Sequence, residues 1–139
     1  MLSGSCSQAT RRQVAIHGQD HPVLEIDIDK VITGAQTAQQ VTGWLLAQDD
    51  PVPMAYSSAD PATVAAAQVH YGRDETAEHV ERLFVSVAQA LVAAGIRKIV
   101  TAGGETSGAV EDGLHLQQLD IGPEIAPGVP AVREPRSGL

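Results

Sequence analysis

The stretch Ile96–Val110, "IRKIVTAGGETSGAV", runs from apolar residues through two adjacent glycines, an acid and two hydroxyls into helix-forming sequence. Lys98–Ala102 predicts a strand, and a helix is expected from about Ser107 to Leu114. Between them lies a strand-to-helix turn. Its plain reading is structural: Gly103 and Gly104 make the turn and Thr106 or Ser107 caps the helix. Its functional reading is an anion site. The first N–H groups of a helix lack internal partners, the helix dipole favours negative charge there, and glycine lets a phosphate approach. The spacing matches neither the P-loop nor the dinucleotide-binding glycine pattern.

About a hundred residues earlier, Ser3–Ser7, "SGSCS", repeats the design. Met1–Leu2 predict the stub of a strand, and Ser7–His17 a helix with an apolar spot at Val14 and Ala15. Ser3, Ser5 and Ser7 can supply hydroxyl donors. Outward from these turns the chain alternates. Pro22–Ile28 predicts a strand with Leu24, Ile26 and Ile28 on one face and Glu25, Asp27 and Asp29 on the other. Thr37–Gln48 predicts a helix with Val41, Trp44 and Leu45 on one side. Val52–Ser58 predicts a strand, and Asp60 with Pro61 the N-cap and first position of a short helix. Glu75–Ala94 predicts a long helix, in which Val80, Leu83, Phe84, Val87, Ala88 and Leu91 recur at three- and four-residue spacing before Gly95. Leu116–Gly122 is a further strand candidate. Pro123–Leu139, with four of the eight prolines, predicts an extended, turn-rich tail. Strands alternating with helices imply an α/β fold: a mainly parallel sheet with helices on both faces, Rossmann-like and three-layered. Ligands of such sheets bind beyond the carboxyl ends of the strands, which is where both turns fall.

A chain of 139 residues predicts one domain. With 43% hydrophobic and only 3% aromatic residues, its core must be aliphatic. A net charge of −8 argues against a nucleic-acid partner. The single cysteine rules out an internal disulfide and fits a reducing cytoplasm. No apolar run reaches the ~18 residues of a membrane span.

Other residues raise narrower ideas. Cys6, five residues and Arg12 resemble the phosphate loop of cysteine-dependent phosphatases, but the loop has no glycine with which to wrap an oxyanion. The plain expectation for Cys6 is a small buried side chain. His17 and His21 are four apart, yet Gly18 and Pro22 argue for loop histidines over a helical metal pair. His79 is expected to be half exposed.

Taken together, "SGSCSQATRRQV", "PMAYSSADP", "TAGGETSGAV" and "IGPEIAPGVP" resemble the C-terminal nucleotide-binding domain of the four-carbon acid sugar kinase family, whose members phosphorylate 3-oxo-tetronates and related acids. The resemblance implies that ATP lies against Ser3 and Ser5 on one side and Gly103, Gly104, Glu105 and Thr106 on the other, with Mg²⁺. Glu105 would bind the metal through water, or accept a hydrogen bond from ribose or base. The family's N-terminal domain, which binds the sugar acid, is not in this chain, and "REPRSGL" stands where a glycine-rich Lys-Ser-Gly-Asn-Phe-Gly-type segment is expected. The catalytic base is therefore expected on another domain. The chain reads as a fragment or one half of a split kinase, inactive alone, with a separate N-terminal half as partner and a tendency to self-associate. The alternatives are the Cys6–Arg12 phosphatase and a non-catalytic binding or assembly domain.

Overall fold

In the computed structural model, which describes residues 1–57, 69–127, 129–136 and 139, the chain is built on a four-stranded sheet. Its strands are β1 (Leu2–Ser3), β2 (Val23–Glu25), β3 (Met54–Tyr56) and β4 (Thr101–Ala102). They lie in the order β2-β3-β1-β4, and every pairing is parallel. The helices are α1 (Gln8–His17), α2 (Ile28–Ile32), α3 (Ala38–Leu46), α4 (Arg73–Ala93) and α5 (Gly104–Gly113). The right-handed crossover rule sends β1–α1–β2 over one face of this order. The same rule sends the returns through α2, α3 and α4 over the other face, where α2, α3 and α5 all pack on α4. The parallel, helix-covered sheet expected from the alternation is the one observed.

The core sits under α4. Phe84, Val87 and Ala88 are fully buried, and Leu83 and Leu91 nearly so, against Leu2 and Ala55 of the sheet and Val41 and Leu45 of α3. Leu2 and Ala55 are register partners and so share one face of the pleat. Gly113 lets α5 come close, since a Cβ there would overlap the Val85 side chain of α4. Gly95, with φ +95°, closes the C-terminus of α4.

Two expectations are corrected. The strand from Pro22 ends at Glu25, because Asp27 turns the chain into α2 by accepting a hydrogen bond from Lys30 N. Gln36 fixes that exit, accepting from Asp27 N (2.9 Å) and donating to the Glu25 carbonyl (3.0 Å). Asp27 is thus a cap and Asp29 a helix residue, not neighbours of Glu25 on a strand face. The tail is extended, as expected, but it is paired with itself. Asp120–Ala126 (β5) and Val129–Arg133 (β6) form an antiparallel ribbon, with register shifts between its paired positions. Each strand of a two-stranded ribbon has a free edge, and there a proline's missing N–H costs no ladder bond. The helix expected at Asp60 and Pro61 lies outside the described residues.

No helix among the described residues is long and apolar enough to cross a membrane. Phe84→Ala is expected to remove about 3–5 kcal/mol of stability, a cost typical of emptying a fully buried aromatic site. Urea denaturation followed by circular dichroism measures it.

Candidate functional site

Strand β1 pairs with β3 on one side and β4 on the other, so three carboxyl ends lie side by side. The pairing continues past the strands: Ser57 N donates to the Ser3 carbonyl and Gly4 N to the Ala102 carbonyl, both at 2.9 Å. The Ser3–Ser7 and Ala102–Ser107 stretches therefore meet, as strand-end loops of neighbouring strands must. A Cβ on Gly4 would overlap Thr106 Oγ1, and one on Gly103 would stand 3.1 Å from Ser5 N. Both glycines are demanded by this close approach.

The two helix starts differ. Ser7 caps α1, accepting from Thr10 N at 3.1 Å, and Thr10 Oγ1 donates to Ser5 Oγ at 3.0 Å. Helix α5 has Gly103 as its N-cap and no side-chain cap. Neither Thr106 nor Ser107 caps it, contrary to the plain reading. Gly103 at φ +115° starts the helix at Gly104, and Ser107 Oγ instead bonds Thr101 Oγ1 at 2.9 Å. Gly104, Glu105 and Thr106 consequently form the first turn, where N–H groups lack helical acceptors and negative charge is favoured.

Beside this turn lies a cleft of about 130 Å³, bounded by Gly4 and Cys6, by Ser57 after β3, by Thr76 and Glu81 of α4, and by Glu105 and Thr106. Ser57 and Thr106 are each 5% exposed. Ser3 is buried at the floor of the junction and Ser5 is half-buried. Sequence reasoning missed Ser57, although it follows a strand and the strand-end rule reaches it. Glu81 gave no signal, standing beside the apolar stripe of a long helix as an ordinary polar residue.

Cys6 is exposed, not buried as expected. Partial burial of its sulfur pushes the thiol above its ordinary value, the charge of Glu105 adds to this, and Arg11 only offsets it. A phosphatase nucleophile needs the opposite shift. The arginine whose charge reaches the thiol is Arg11, while Arg12 is exposed. His17 ends α1 instead of lying in a loop. Its ring stacks on His21 at 4.6 Å, and His21 Nδ1 lies 3.1 Å from Asp50. Among the described residues no group of three or more His, Cys, Asp or Glu could hold a metal ion. His79 is half-buried, as expected.

A family model described as a nucleotide-binding C-terminal domain matches residues 1–139. The chain belongs to this family. Its relatives include 3-oxo-tetronate kinases of Brucella melitensis, 42% identical over 96% of this chain, and of Salmonella typhimurium, 40% identical over 95%. The chain spans about a third of the length of these relatives, 31% and 32%. Among solved structures, a Salmonella typhimurium LT2 protein described as a putative tRNA synthase superposes with a TM-score of 0.92 at 38% identity, covering 99% of this chain and 34% of that one. A Haemophilus influenzae protein superposes at 0.91 with 34% identity, covering 96% and 33%.

Gly103→Ala is expected to destabilise the protein by at least ~1 kcal/mol, since it forces a side chain into left-handed backbone against Ser5. Gly104→Ala, with open space around its Cβ, is expected to be neutral or slightly stabilising. Paired thermal melts decide it. The pH midpoint of Cys6 alkylation by iodoacetamide is expected above that of an unperturbed thiol, and Glu105→Gln is expected to lower it.

Proposed function

We propose that this chain is the ATP-binding portion of a kinase that phosphorylates a four-carbon sugar acid of the 3-oxo-tetronate type. The observation that carries the reading is the junction of the two loops. An uncapped ten-residue helix, α5, begins at a glycine pair beside a second loop rich in hydroxyls. Thr106, only 5% exposed, lines the same cleft. Family membership and kinase relatives support the same reading.

In this reading the amides of Gly104, Glu105 and Thr106 donate to phosphate oxygens, and Ser3 and Ser5 flank them. Gly4 and Gly103 keep the approach free of Cβ atoms. Glu105, exposed in the first turn, fits Mg²⁺ through water or a hydroxyl of the nucleotide. Bound MgATP would supply a γ-phosphoryl group to a substrate hydroxyl, a reaction governed by positioning and charge stabilisation. This chain's part is to hold and orient the donor. The acceptor site and catalytic base belong to a partner domain. The raised Cys6 thiol weighs against the phosphatase, and an open cleft weighs against a purely structural pair of turns.

Isothermal calorimetry tests this. ADP with Mg²⁺ is expected to bind the chain, or its complex with a cognate sugar-acid-binding half, in the micromolar to low-millimolar range. Absence of ADP and ATP binding to both at millimolar concentration contradicts the reading. Gly103→Ala is expected to weaken binding more than tenfold.

A further inference from the structure

Among the described residues, the carboxylates that bound the cleft beside α5 are Glu81 and Glu105. Glu81 is half-buried and has no ion pair or hydrogen bond among the described residues, unlike Glu78 one turn away, which pairs with Arg82 at 3.3 Å. Burial raises the Cys6 thiol at the cleft's edge, the Arg11 charge lowers it, and the Glu105 charge raises it further. A bare phosphate placed in this space would face both carboxylates, while the Arg11 charge acts at the Cys6 edge. The ionised carboxylate only accepts hydrogen bonds, whereas a hydroxyl both donates and accepts. Ser57 and Thr106, which line the same cleft as Glu81, supply that second capacity through their hydroxyls. At about 130 Å³ the cleft has room for several waters or a small polyol.

We propose that Glu81, with Ser57 and Thr106, recognises a vicinal diol. The carboxylate accepts from both diol hydroxyls, and the Ser57 and Thr106 hydroxyls donate to the diol oxygens. The inference rests on the reading of this cleft as part of a kinase site and names what its Glu81 side selects. Two molecules offer the chemistry: the ribose of the nucleotide and the polyhydroxy chain of a four-carbon acid. Glu81 is thus a specificity residue that works through hydroxyl groups, while the phosphates stay at the rim on the first turn of α5.

Calorimetry on the wild-type chain and on Glu81→Gln, with ADP, its dideoxyribose analogue and erythronate as probes, tests it. Circular dichroism melts verify that the variant is folded. Ser57→Ala serves as a second variant and is expected to weaken the same ligand. If the ribose is the diol, Glu81→Gln weakens ADP about tenfold and leaves the dideoxy analogue unchanged, the size expected for lost hydrogen bonds to a charged group. If the acid is the diol, Glu81→Gln leaves ADP unchanged and weakens erythronate by a similar factor. Should both variants bind ADP and erythronate like wild type, the diol proposal is overturned and the nucleotide reading stands. Should the wild type bind erythronate in a Glu81-dependent way but not ADP, the diol proposal stands and the nucleotide reading falls. No binding of either ligand by the wild type overturns both.

Discussion

Everything at the site depends on where β1 lies. A strand of two residues, Leu2–Ser3, is held between β3 and β4 by parallel pairing on both sides. Its side chains are buried, and Leu2 reaches the same core as Phe84 of α4. Because the pairing continues to Gly4 N and Ala102 O, the loops after β1 and β4 have no choice but to meet. Their contact is tight enough that neither Gly4 nor Gly103 has room for an unstrained side chain. Sheet register, not loop chemistry, builds the site, and the loops then decide what it binds.

The two helix starts at this junction show how a chain allocates its caps. Helices α1, α2 and α3 each carry a side-chain cap, from Ser7, Asp27 and Thr37. Helices α4 and α5 begin at glycine and carry none, and of these α5 starts at the junction of the two loops. Side-chain capping fills one of the orphan N–H positions that an anion would otherwise use. A helix left uncapped beside a cleft can answer a ligand, whereas a capped one has answered itself. Glycine at the N-cap therefore serves two ends here, opening the turn and leaving the donors available.

Much of this was legible in the sequence. The aliphatic stripe of α4 and the alternation of strands and helices give a parallel α/β sheet. The strand-end rule then points at Ser3–Ser7 and Ala102–Ser107 before any contact is known. Boundaries set by side-chain-to-backbone bonds were not legible. Asp27 lies in strand-like sequence, yet its bond to Lys30 N and the clamp of Gln36 on both sides of it end the strand. The sequence alone starts α5 three residues late, because Thr106 and Ser107 are good caps and the backbone angle at Gly103 is invisible in a sequence. The ribbon at β5 and β6 was obscured by its prolines. Glu81 could not be singled out, since only the packing of α4 over β1 and β3 brings it to the cleft.

The central claim is that two stretches a hundred residues apart form one nucleotide-binding junction. Backbone amide shifts of the labelled chain during an ADP–Mg²⁺ titration test it most directly. The account predicts that the largest changes fall together on Gly4 to Ser7 and on Gly103 to Ser107, saturating with one dissociation constant. Saturable shifts confined to other regions, such as the β5–β6 ribbon or the His17–His21 corner, would contradict it, as would no saturable shift at all.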